Sequence, residues 1–305
     1  MVIRTRKGFE CVGGIPLRPY ESTRVPSPRR QALLDLLRSG VDVDHLALAA
    51  LLVATEARHD LDIDACLRSL GSMGSRFRAR LEQRDPSLRG RVEALNDILF
   101  EEDGFRGDTE TYYDPRNSLL DQVLERRRGL PITLSIIFIA VGREGGLDVE
   151  GVGLPGHFIV RVHDPQREGE VLVDPFHRGQ ILSVDDCRRR VASVTGHPVE
   201  WQSAWLEAAA PHEVLVRLLN NLKRVYLRAT NFREALWVHD LLVALQPDDL
   251  QHYRDRGLVN AQLQRYGDAR RDLTAYLTRY PGEAPDAAEI EEDLERLRRL
   301  HHMLN

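Results

Sequence analysis

The chain of 305 residues lacks several features that would sort it quickly into a class. Cysteine is scarce: Cys11, Cys66 and Cys187 stand far apart, their number is odd, and no CxxC pair occurs. That argues against a disulfide framework and against a zinc knuckle. Charge of one sign is also missing. The formal net charge is -5, which gives no global attraction to nucleic acid or to an anionic membrane. No apolar run approaches the ~18–20 residues of a membrane span. The opening stretch "MVIRTRKGFECVGGIPLRPY" has basic residues but no apolar segment of the signal-peptide kind. The reducing cytoplasm is the expected compartment, with neither nucleic acid nor membrane as partner.

What is present is an ordinary soluble composition, 42% hydrophobic and 29% charged, with enough apolar mass for a sizeable core. The length suits two domains or one large one. Residues 1–26 read as an irregular extension. Residues 27–104 read as helical. In "SPRRQALLDLLRSG", Ser27 can cap, Pro28 sits at the first helical position and Gly40 follows the end. "DVDHLALAALLVATEARH" reads as a buried helix capped by Asp42 or Asp44, and "DIDACLRSLGSMGSRFRARL" and "SLRGRVEALNDILFEEDGF" continue the helical pattern. Gly, Asp and Pro break the chain up to Arg116. Asn117 or Ser118 can then cap a helix that stops at Gly129, and Pro131 opens another that runs to Glu144 before "GG".

The period then changes to two. "GHFIVRV" and "EVLVDPF", joined by the polar turn "HDPQREG", form an antiparallel hairpin. With Val162 pairing near Glu170, His157 lies opposite Asp174 and Pro175 at the hairpin's open end. From residue 211 the chain is helical and repeats itself. Leu219, Val225, Phe232, Ala235 and Pro247 recur 34 residues later as Tyr253, Val259, Tyr266, Ala269 and Pro281. A 34-residue helix–turn–helix period is the tetratricopeptide signature. "PDAAEIEEDLERLRRLHHMLN" follows as a capping helix.

The succession "PITLSIIFIAVGREGGLDVEGVGLPGHF", "VLVDPF" and "DPFHRG", with "FRGDTETYYDPRNSLLDQVLERRRGLPITLS" before it, resembles the transglutaminase-like, papain-related core. Within that superfamily it resembles the bacterial branch named after the invasion regulator SirB. The resemblance covers roughly residues 40–290. It implies an α+β, mostly α fold: a helical subdomain at 27–104, a transglutaminase-like core with a small antiparallel sheet at 105–205, and tetratricopeptide repeats with a capping helix at 211–305. It also implies His157 as the base position and Asp174 as the residue that orients it. The superfamily's cysteine belongs at a helix N-terminus, where the thiol pKa is lowered. Counting back from Gly146 by the superfamily's helix length arrives at Pro131, which has no nucleophile. Ser135, one turn on, and Thr133 are the nearest hydroxyls.

Each candidate has a structural reading beside the functional one. His157 can be a satisfied histidine on a half-buried sheet face. Asp174 can simply end a strand in an Asx-turn. His163 and His177 could join them around a metal, but no HxH or HExxH spacing supports one, so neither metal nor cofactor is expected. "YYDPRN" is either a structural turn or a pocket wall of Tyr112, Tyr113, Asp114, Arg116 and Asn117, with Arg116 offering a bidentate fork. Pro131 and His177 complete that candidate pocket. "ERRRG" is a solvated face or a pocket rim. Cys66 and Cys187 fit helices outside the motif.

Three functions stay open. The first, on which the missing cysteine and the repeats converge, is a non-catalytic protein that binds a peptide or protein partner. The second is an amidase, peptidase or acyl transferase that uses His157 and Asp174 with Ser135, Thr133 or a distant Cys. The third is a structural scaffold.

Overall fold

A computed structural model describes residues 27–82, 87–163, 169–196, 199–280, 282 and 284–304. The expected extension at 1–26, most of the 163–169 turn, Cys11 and Pro281 lie outside these residues. The chain divides into two compact units, one running Arg29–Asn221 and one containing Leu222–Asn305. Among the described residues no helix is long and apolar enough to cross a membrane.

In the first unit, helices α1 (Pro28–Ser39), α2 (Leu46–Ala54), α3 (Ile63–Leu81) and α4 (Leu88–Asn96) come first, and α4 runs on into a wider π-type turn, Asp97–Glu102. Asp62 and Ser87 cap α3 and α4 by accepting from the amides of Ala65 and Gly90. The expected cap of α2 falls elsewhere. His45 holds the cap position, Asp42 accepts from the His45 amide in the turn before the helix, and Asp44 pairs with Arg143. Helix α5 (Leu120–Arg126) likewise begins without a polar cap, because Asn117 is committed to other partners. It ends at Arg127, whose φ of 58° is left-handed.

Helix α6 (Pro131–Glu144) is buried almost all round, as its run of Ile, Leu, Phe and Val requires. It packs against α2, α3 and α5 and against the sheet. Pro131 takes the first helical position, where its missing amide costs nothing, and Gly145 ends the helix. Two-residue strands β1 (Arg106–Gly107) and β2 (Arg128–Gly129) pair in parallel and tie the segment before α5 to the start of α6.

The main sheet is four-stranded and antiparallel in the order β3-β4-β5-β6: Asp148–Val152, Ile159–His163, Glu170–Asp174 and Gln180–Leu182. The hairpin expected from the sequence is its centre, with Val162 opposite Val171 and His163 opposite Glu170. Both faces are covered. Ile159 and Leu172 meet Cys187 and Val191 of α7 (Val184–Thr195), together with Trp201 and Trp205, whose rings lie edge to face at 5.5 Å. Val160, Val162 and Val173, on the alternate positions, are fully buried on the other face.

Helix α8 (Pro211–Arg228) contains the division between the units. The second unit continues with α9 (Phe232–Leu245), α10 (Leu250–Gln262), α11 (Tyr266–Arg279) and α12 (Ala287–Leu304). Helices α9 to α11 lie where the 34-residue period falls in the sequence, and α12 follows them. Phe232 and Tyr266 each open a second helix, and Ala235 and Ala269 are fully buried. A Cβ on Gly257 would sit 2.8 Å from Leu273, so this glycine lets α10 and α11 close together.

Charges also tie the helices of this unit. The Arg256 guanidinium forks onto both oxygens of Asp272 at 2.8 Å and reaches Asp240 at 3.1 Å. Near it, His239 of α9 takes the place that Leu273 fills one repeat later. It is fully buried, and neither ring nitrogen has a partner. Trp237 is buried edge to face with Tyr226 and donates to Glu234.

Candidate functional site

Asp174 is the centre of the site. It ends β5 and starts a 3-10 turn, Pro175–His177, with Pro175 at its first position. Its Oδ1 accepts from the amides of Phe176 and His177 at 3.1 and 3.3 Å, which fixes the carboxylate. Arg178 (φ 54°) and Gly179 (φ 73°) follow in left-handed conformation. The Gly179 carbonyl accepts from Asn96, whose side chain leaves no room for a Cβ there. The turn "DPFHRG" is therefore fixed at both ends, and its i,i+3 spacing brings His177 back over Asp174.

His157 precedes β4 instead of lying on a sheet face. Its amide donates to the Leu154 carbonyl, and Arg217 of α8 donates to the carbonyls of Leu154 and His157 at 2.7 and 2.5 Å. Its Nε2 lies 2.8 Å from Asp174 Oδ2, with 5% and 0% of the two side chains exposed. His177 Nδ1 approaches the same oxygen at 2.9 Å from a more open position. Arg190 of α7 completes the cluster. Its Nη2 is 3.3 Å from Asp174 Oδ2, and its Nη1 is 3.0 and 2.9 Å from Nδ1 and Nε2 of His177. Burial opposes ionisation of Asp174, but the hydrogen bonds from His157 and His177 outweigh it and hold the carboxyl well below its ordinary value. Aromatic rings flank the cluster: Phe176 lies 6.1 Å from both His157 and Tyr112, and Tyr112 meets Tyr113 at 5.4 Å.

The remaining residues singled out from the sequence divide in two. Tyr112 and, through it, the exposed Tyr113 belong to this aromatic wall. Asp114 and Arg116 are spent on each other: Arg116 donates to both carboxylate oxygens from Nε and to Oδ2 from Nη2, so its fork is not open to a ligand. Asn117 is fully buried and structural. Its side-chain NH2 donates to the Thr111 carbonyl, and its side-chain oxygen accepts from Arg126. Arg128 of the same basic run pairs with Glu110, and Arg127 lies over the Phe105 ring. His163 is at the other end of β4, against Glu150.

Pro131 is buried at the start of α6. The Thr133 hydroxyl accepts from the Leu130 amide at 2.9 Å and donates to the Asn117 carbonyl at 2.8 Å, closing the helix start. Ser135 is fully buried, and its hydroxyl has no partner. Cys187 is buried in the sheet-to-helix core, where burial, with the charges of Asp186 and Asp174 adding, pushes its thiol up to about 11. Burial also raises the Cys66 thiol, with the charges of Asp121 and Asp62 adding. Among the described residues no hydroxyl or thiol hydrogen-bonds to the His157 ring. Sequence reasoning missed Arg190, Phe176 and Arg217. Arg190 is one of three consecutive arginines on a helix, and nothing local distinguishes it.

Residues 64–220 match the model of the transglutaminase-like superfamily, and residues 222–295 match a tetratricopeptide-repeat model. A UPF0162 protein of Xylella fastidiosa is 39% identical over 82% of this chain and 91% of its own length. One from Pseudomonas aeruginosa is 32% identical over 77% and 83%. The human F-box only protein 21 is 30% identical over 52% of this chain and 26% of its own.

Proposed function

The chain belongs to the transglutaminase-like superfamily, among the UPF0162 proteins, and on that premise we propose that it is a non-catalytic peptide- or protein-binding regulator. The SirB branch is the finer placement that goes with this reading. The observation that carries the reading lies at the start of α6. There the chain has Pro131, and no hydroxyl or thiol among the described residues engages His157. The hydroxyl of Thr133 is consumed in closing the helix, Ser135 is sealed in the core, and the Cys187 thiol is held protonated at neutral pH. The enzymatic alternative draws on the buried His157–Asp174 bond. A base held in place in this way still needs a group to activate. Tetratricopeptide repeats supply a helical-repeat surface of the kind that receives peptides and proteins. Among the described residues Cys66 and Cys187 are free thiols, which suits a reducing cytoplasm.

Binding and turnover are separable in one experiment. The full chain is incubated with a peptide library containing glutamine and a primary amine, and both bound peptides and products are read by mass spectrometry. Retained peptides of unchanged mass and no covalent protein adduct are expected. Peptide cleavage or amine incorporation that falls ~10²–10⁴-fold in His157→Ala would establish a catalytic base and end the non-catalytic reading.

A further inference from the structure

We propose that His157, Asp174 and His177 form a binding site for a zinc-class divalent cation, entered by displacement of Arg190. The inference goes beyond peptide binding and requires no peptide.

The three side chains come from the loop before β4, the end of β5 and the turn after it, yet their ligand atoms lie within 4.8 Å of one another. Both imidazoles aim at one carboxylate oxygen, at 2.8 and 2.9 Å. A tetrahedral zinc ion with bonds of about 2.0–2.1 Å keeps its ligand atoms roughly 3.3 Å apart, so small side-chain movements would open the space. Two imidazole nitrogens and one carboxylate oxygen suit zinc and its neighbours better than the all-oxygen preference of calcium or magnesium. Three protein ligands leave a fourth position, and His177, on the exposed side, gives a way in.

The shell around the donors is built. The amides of Phe176 and His177 hold the second oxygen of Asp174, and Arg217 holds the carbonyl of His157. Arg190 occupies the position of the counter-charge, against Asp174 and both nitrogens of His177, and it has an alternative partner in Gln180 at 3.1 Å.

The tautomers make the two cations exclusive. With Asp174 as the only acceptor among the described residues, His157 carries its proton on Nε2 and His177 on Nδ1. A bound ion needs lone pairs at those atoms, so the protons move to His157 Nδ1 and His177 Nε2. His157 Nδ1 makes no hydrogen bond among the described residues. His177 Nε2 faces Arg190 Nη1 at 2.9 Å, and the guanidinium must leave once a proton sits there.

The test titrates the metal-stripped full chain with Zn²⁺ by equilibrium dialysis and with Co²⁺ by visible absorption. One ion per chain is expected. The affinity should fall at least tenfold in His177→Ala, whose side chain is exposed. It should rise about tenfold in Arg190→Gln, which removes a like charge from the site. Binding unchanged in His177→Ala places the ion on other histidines and overturns the proposal. So does binding that stays the same or weakens in Arg190→Gln, or no binding at all.

Discussion

Replacing His239 by leucine should stabilise the repeat unit and flatten its response to acid. Burial drives the His239 imidazole down to about 3 from its ordinary 6.5, with the charges of Lys223, His252 and Arg256 adding to the effect. Because the folded value is the lower one, the unfolded chain takes up the proton first. Stability is therefore at full strength above pH 6.5 and is lost progressively as the pH falls towards 3. At roughly 1.4 kcal/mol per unit, the step from pH 7 to pH 5 costs about 2 kcal/mol. His239→Leu removes that loss. At pH 7 it also relieves two buried ring nitrogens without partners, worth about 1–3 kcal/mol. Leucine fits because Leu273 fills the same place one repeat on. His252 is also shifted down, first by burial, so a smaller acid response should remain in the variant. Lys223 and Arg256 are already paired, with Asp255 and with Asp240 and Asp272 respectively. Urea midpoints followed by far-ultraviolet circular dichroism at pH 7 and pH 5 decide the matter. A variant that is less stable than the parent at pH 7, or that loses as much between the two pH values, refutes the reasoning.

Two further outcomes follow from contacts described above. Thr133→Val removes the hydroxyl's bonds to the Leu130 amide and the Asn117 carbonyl at a buried helix start, leaving that amide only its 3.3 Å bond to the same carbonyl, and should cost about 1–3 kcal/mol in thermal or urea unfolding; an unchanged midpoint would mean that the hydroxyl does not close the helix. Arg256→Met strands the buried carboxylate of Asp272 and should cost about 3–5 kcal/mol, while adding Asp272→Leu should recover much of it. Equal losses in the single and double variants would argue against a buried ion pair.

How much of this molecule its sequence discloses depends on how local the determining contacts are. Helix α6 is legible because Pro131, an apolar run and a Gly pair mark its start, body and end. The hairpin is legible from its period of two, and that period together with a register set by the turn brings His157 to the same end of the sheet as Asp174. The repeats announce themselves because their residues recur at one offset.

The outer strands escape notice. Gly151 interrupts the pattern of β3, and β6 is only three residues, Gln180–Leu182. The polar caps expected of Asp44 and Asn117 fail because a side chain able to cap can be engaged elsewhere, whereas the buried Ser118 hydroxyl has no partner among the described residues. Asp44 pairs with Arg143, and Asn117 joins the Thr111 carbonyl to Arg126. The same competition spends Arg116 on Asp114. Arg190 reaches Asp174 only because β6 and α7 return the chain across the end of β5, and no spacing in the sequence encodes that. His177 is the intermediate case. Its i,i+3 relation to Asp174 is local, but its meaning depends on His157 arriving from another strand.

The placement of the three tryptophans gives the protein a built-in pair of optical labels. Trp201 and Trp205 stand together against the sheet core of the first unit, while Trp237 is buried in the second, two residues from His239. With Trp201 and Trp205 changed to phenylalanine, the remaining indole emission belongs to the repeats alone. With Trp237 changed instead, it belongs to the unit that carries His157 and Asp174. Fluorescence can thus report which half of the chain melts first and which half responds when a peptide or an ion is added, without any attached dye.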